Sequence, residues 1–134
     1  MCTTTGVASV LADLASVDVT LLPDQQVRDE LLSLLGVVNS LNAAVLQRVA
    51  AFDARGLSEV DGFRTTAGWL IGFGRLGRYA AGAVVKRGRV LRELPALRDA
   101  AAQGAVSDDH LGKVVKLADD IGVVAVRDLS LIHI

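Results

Sequence analysis

Residues 65–95, TTAGWLIGFGRLGRYAAGAVVKRGRVLRELP, decide how the rest of the chain is read. This stretch holds the only Trp (Trp69), the only Tyr (Tyr79) and six basic residues, Arg75, Arg78, Lys86, Arg87, Arg89 and Arg92, against the single acid Glu93. Thr65 fits an N-cap for a short helix that carries Trp69, Leu70 and Phe73 and ends at Gly74. Gly77 opens a second helix over 78–94, with Ala81, Val84, Val85, Gly88 and Leu91 on its buried face. Arg78, Lys86, Arg89 and Arg92 form an adjoining stripe at helical spacing, with Arg87 apart. Gly82 and Gly88 each weaken that helix by up to about 1 kcal/mol relative to Ala, and close approach of a second helix is the usual reason to keep such a glycine.

Upstream, Val7, Val10, Leu14, Val17 and Leu21 recur at helical spacing and predict a first helix, capped by Thr4 or Thr5 and ending before Pro23. Pro23 suits the first position of the next helix. There Val27, Leu31, Leu34, Val38, Leu41 and Val45 alternate steps of four and three, a coiled-coil-like seam that Val49 and Phe52 continue with one slip. A helix over 23–55 results, closed by Gly56 in a left-handed C′ position with Leu57 reaching back to Phe52. This helix is expected to be the central one. Residues 58–63 read as a loop. Downstream, Pro95 starts a helix that Gly104 closes, and Ser107 caps a last one with Asp108 and Asp109 in its first turn. Leu111, Val114, Val115, Ala118 and Ile121 supply its apolar face, and Gly122 ends it. Residues 123–126 fit helix, strand or a frayed end. The expectation is an all-α domain of about six helices, a bundle over 1–128.

Hydrophobic residues make up 51% of the 134, but aromatics only 4%, so the core must be built from Ala, Val and Leu. Such hydrophobicity excludes a disordered chain. Charge is segregated within a net −1: residues 1–61 carry three bases and eight acids, 62–98 eight bases and one acid, 99–134 three bases and six acids. A basic segment of this kind attracts phosphate or holds acidic neighbours within the same fold. The single Cys2 excludes an internal disulfide and a cysteine zinc site. No basic n-region of a signal peptide is present, and the longest uncharged run, 31–47, is 17 residues interrupted by Ser33, Asn39, Ser40, Asn42 and Gln47. A bilayer span needs about 20 mainly apolar residues, so a cytoplasmic protein without a membrane segment is expected.

The two helices of 65–94 have the order of a helix-turn-helix, which would bring Arg75, Arg78, Lys86, Arg89 and Arg92 to DNA. The plainer reading, a helical hairpin whose basic stripe is solvated or faces acidic residues, is preferred because the net charge makes no case for nucleic acid. The hairpin of 95–121 is rejected as a DNA reader, since Asp108 and Asp109 would repel phosphate. His110 lacks further ligands at metal spacing, which favours a surface or capping role. Trp69 is expected to anchor a core poor in aromatics. Gly72, Gly74 and Gly77 follow no strand and form no phosphate loop.

The last six residues, LSLIHI (129–134), match one frame of CTGTCTCTTATACACATC, a transposon mosaic end used in sequencing adapters. They are expected to be foreign, with the reading frame cut near Asp128 and His133 carrying no role.

The ordered run FDARG, DGFRTTAGWL, a glycine–leucine turn, RVLRELPAL and AAAQGAVSDDHL resembles the 13E12 repeat family of actinobacteria (domain of unknown function 222), over nearly the whole chain to about Leu117. The matching positions are Asp53, Arg55, Gly56, Gly62, Thr65, Trp69, Leu70, Leu91, Leu94, Pro95, Gly104, Ser107 and His110. Gly77 and Gly88 depart from the Ser and Ala usual in the family. The resemblance implies the all-α N-terminal domain of an HNH-endonuclease-type protein, with no catalytic residue of its own. No cofactor is expected in this piece; a divalent metal would belong to a downstream HNH domain. Two partners follow: DNA at the basic helix or, alternatively, a second copy through the N-terminal helices, in a dimerisation module without DNA contact.

Overall fold

The computed structural model describes residues 3–122, and the expectations for 123–126, the LSLIHI tail and His133 lie outside them. Six α-helices and two 3₁₀ turns make up the described chain: α1 (Thr3–Ala15), α2 (Asp24–Ala54), α3 (Thr66–Gly72), α4 (Arg78–Glu93), α5 (Pro95–Ala102) and α6 (Asp108–Ile121). The all-α expectation holds, and so do most helix ends, because each end has its own chemistry. Thr65 accepts from the Gly68 N–H and Ser107 from the His110 N–H, as N-caps should. Pro95 is the first residue of α5. Gly56 and Gly62 take φ of 63° and 84°, and between them the predicted loop is wound into a 3₁₀ turn, Leu57–Asp61.

Two compact units are found, residues 1–34 and 35–134. In the first, α1 stops at Ala15, short of the expected end. Asp18 then caps a separate 3₁₀ turn, Val19–Leu21, accepting from the Thr20 N–H, so Val17 and Leu21 are not on α1. Thr4 and Thr5 lie inside α1 rather than at its cap. No described side chain from Gly6 to Leu34 is buried.

The second unit contains the core. One cluster joins Ala43 and Leu46 of α2 to Val90 and Leu91 of α4, Leu94, Leu97 and Ala101 around α5, and Leu111, Val115 and Ala118 of α6. A smaller one joins Val49 of α2, Leu70 of α3 and Ala81 and Val85 of α4. Helix α4 therefore contributes to both clusters, and the expected centrality of α2 holds only for its C-terminal half. The packing is close where glycine permits it. A Cβ on Gly88 would stand 3.0 Å from the Leu46 carbonyl oxygen, so α4 meets the α2 backbone there. Gly82, by contrast, is exposed with open space around it, and the close-approach explanation fails for it. Gly104, at φ 77°, presses on Gly36: a Cβ there would sit 2.7 Å from the Gly36 carbonyl oxygen.

The seam predicted on α2 is buried by the second unit only at its C-terminal end, where Val49 joins the core; before that a different face is buried. Ala43, Leu46 and Ala50 are buried, whereas Val38, Leu41 and Val45 are 49%, 39% and 50% exposed. At 100° per residue the two stripes lie on opposite sides of the helix. Small side chains explain the choice, since Ala43 and Ala50 let α4 and its Gly88 come close, which a Val or Leu stripe would prevent.

Candidate functional site

The basic helix α4 is where function was expected first. Its Arg89 donates from Nε to Asp53 Oδ2 at 2.8 Å and from Nη2 to Asp53 Oδ1 at 3.1 Å, a two-pronged pair between α4 and the last turn of α2. Thr66 Oγ1 adds a third bond to Asp53 Oδ1 at 2.7 Å from the start of α3. These hydrogen bonds, from Arg89 first and then Thr66, hold the Asp53 carboxyl below the ordinary carboxylate range. Arg87 pairs with Asp108 at 2.7 Å, and Lys86 pairs with Asp119, both acids on α6. Three of the six bases in 65–95 are thus bound to acids of the same chain.

Of the five residues expected at DNA, Lys86 and Arg89 are in these internal pairs. Arg75, Arg78 and Arg92 have no ion-pair partner among the described residues. Arg75 occupies the α3–α4 turn at φ 59°, a left-handed conformation unusual for a residue with a Cβ. The turn is tight on both sides: a Cβ on Gly74 would be 2.6 Å from the Leu70 carbonyl oxygen, and one on Gly72 would be 2.8 Å from the Phe63 ring. Arg92 lies with Arg98 beside an open cleft of about 380 Å³ floored by Ala50, Ala51, Gly88 and Leu91.

The positions that carried the family resemblance have structural roles. Leu70, Leu91 and Leu94 are core residues. Gly56, Gly62 and Gly104 take positive φ. Thr65, Pro95 and Ser107 shape helix starts, and the exposed His110 supplies the N–H that Ser107 caps. Arg55 ends the turn after α2, its N–H bonded to the Ala51 carbonyl. Trp69 is half-buried. Its ring lies 4.4 Å from that of Phe52 and 5.6 Å from that of Phe73, which meets Phe63 at 5.6 Å, and its Nε1 donates to Asp61 at 2.9 Å. All three Phe of the chain thus join the Trp in one cluster. Their positions at 52, 63, 69 and 73 share no simple period, so no pattern in the sequence announces it.

A second surface is apolar. Sixteen Val and Leu side chains between residues 7 and 45 are exposed, eleven of them before residue 35. Helix α2 is long and apolar enough to cross a membrane by length and composition, contrary to expectation. Its polar residues are not spread around it, however: Ser33, Asn39, Ser40 and Gln47 fall outside the seam and Asn42 borders it. Among the described residues no three His, Cys, Asp or Glu side chains stand together as metal ligands.

No family model, curated protein or solved structure matches this chain.

Proposed function

We propose that this chain is the helical N-terminal domain of an HNH-endonuclease-type protein, and that its task there is to join two copies through α1 and the exposed seam of α2. The endonuclease context rests on the motif order from Asp53 to His110. The exposed apolar surface of residues 7–45 carries the self-association reading. Full burial of a Val or Leu contributes about 1.5–3 kcal/mol at about 25 cal/mol per Å², which leaves on the order of 50 Å² to bury on a half-exposed one. The ten of these on α1 and on the seam, from Val7 to Leu14 and from Val27 to Val45 at the seam positions, then offer on the order of 500 Å² per partner, about the 1,000 Å² in total that a specific interface clears. A 13-residue α1, none of whose side chains from Gly6 to Ala15 is buried, also lies at the limit of stability for an isolated helix. A partner that covers it supplies the missing stabilisation. Sedimentation equilibrium on the full chain tests this. A mass that rises from monomer to dimer with concentration is expected, and a concentration-independent monomer overturns the reading.

Arg75, Arg78 and Arg92 favour a second reading, association with DNA. Three phosphate contacts would give log affinity against log salt a slope of roughly −2.7. A folded domain that binds no duplex DNA at low salt eliminates this alternative.

A further inference from the structure

We infer that the partner copy lies antiparallel along α2, with Glu30 of each chain paired to Arg48 of the other; this rests on the self-association reading above. Helix α2 is unbroken from Asp24 to Ala54. Along it Leu31 and Val45, Leu34 and Leu41, and Glu30 and Arg48 are three pairs whose midpoints all fall on Val38 to within one residue. A two-fold axis through Val38, perpendicular to the helix, therefore superposes the apolar seam on itself and brings acid opposite base. Glu30 and Arg48 are eighteen residues apart, five complete turns at 3.6 residues per turn, so both flank the seam on the same side. In an antiparallel pair, residues on like flanks face each other; in a parallel pair, opposite flanks do. Between them the seam sector carries only Leu and Val.

The charges decide the direction. A parallel pairing sets Glu30 level with the partner's Glu30 and leaves Arg48 about 27 Å away along the axis, too far for any pairing at physiological salt. It would also align the two helix dipoles, whereas the antiparallel arrangement opposes them. Neither charge has a competing ion-pair partner among the described residues. Among the described residues Glu30 accepts from the Gln26 amide at 3.2 Å, and Arg48 donates to the Ala44 carbonyl at 3.0 Å.

Two measurements on the full chain, both in a Cys2→Ser background, test the arrangement. Glu30→Arg and Arg48→Glu are each expected to raise the dimer dissociation constant about tenfold through two like-charge contacts per dimer, and the double variant to restore it within about threefold. On oxidation Val38→Cys is expected to cross-link at the axis. Leu34→Cys is expected not to, because about 12 Å along the axis separates the two copies, beyond disulfide reach. A dimer in which Leu34→Cys cross-links, or in which the double reversal is no better than the singles, overturns the antiparallel pairing while leaving self-association standing. A dimer that Val38→Cys does not link overturns it by placing the contact elsewhere. A monomer overturns both.

Discussion

Residues 35–122 and residues 3–34 are both rich in Ala, Val and Leu, yet only the first region buries them. In the larger unit Ala43, Ala81, Leu94, Leu97 and Ala101 are at most 1% exposed. In the smaller, Val10 and Leu11 on α1 are 58% and 54% exposed. Hydrophobic content alone does not separate the two. Small residues and glycine are interleaved with large aliphatics in both; in the larger unit they meet across helices, as Gly88 of α4 meets Leu46 and Ala50 of α2, and the space between is filled. In the smaller unit no described side chain from Gly6 to Leu34 is buried. A core needs complementary neighbours as well as hydrophobic side chains.

Truncations in the two regions should differ most. Leu94→Ala or Leu97→Ala is expected to cost about 2–5 kcal/mol in urea unfolding, through lost burial and the cavity left behind. Leu31→Ala should change that unfolding by less than about 0.5 kcal/mol in dilute protein, and weaken only the concentration-dependent mass. Equal losses from the two would erase the distinction.

Glycines sharpen it within the larger unit. Gly88→Ala places a methyl 3.0 Å from the Leu46 carbonyl oxygen and should destabilise by about 1–3 kcal/mol. Gly82→Ala meets open space on the same helix and should stabilise, by up to about 1 kcal/mol. Thermal melts of the two variants should therefore shift in opposite directions.

The smallest effect is pH-dependent. Asp53 has its folded-state pKa depressed by Arg89 and Thr66, so its contribution is present above the unfolded value near 3.8 and is lost as pH falls through the lower folded value. Asp53→Asn should cost about 1 kcal/mol at pH 7, a modest figure because Arg89 is largely exposed. The difference from wild type should shrink below about pH 4. A constant difference between pH 7 and pH 2 would show that the carboxylate charge is not what matters.

Much of this was legible in the sequence because it is local. Thr65, Ser107, Pro95, Gly56 and Gly104 mark helix ends by chemistry that acts within a few residues, and the structure places them where that chemistry predicts. The buried side of α2 was not legible. Its heptad spacing is the stronger pattern, but spacing identifies a packing face without saying which neighbour covers it. The choice of Ala43, Leu46 and Ala50 depends on Gly88, some forty residues away. The same holds for the aromatic cluster around Trp69. Charge segregation lay between these cases: the excess of bases in 62–98 implied acidic neighbours, but only three-dimensional contacts could select Asp53, Asp108 and Asp119.

Asp53 also has a kinetic consequence. Its carboxylate ties the ends of α2, α3 and α4 together, and its bond to Arg89 closes a loop of 36 residues. Helices and the short α5–α6 connection can form first, from contacts near in sequence, whereas closing the longer loop costs chain entropy before it gains anything. The clasp therefore belongs to the late part of folding. Breaking it should leave the folding rate nearly unchanged and quicken unfolding, which makes Asp53 a determinant of how long the folded domain lasts rather than of how fast it is made.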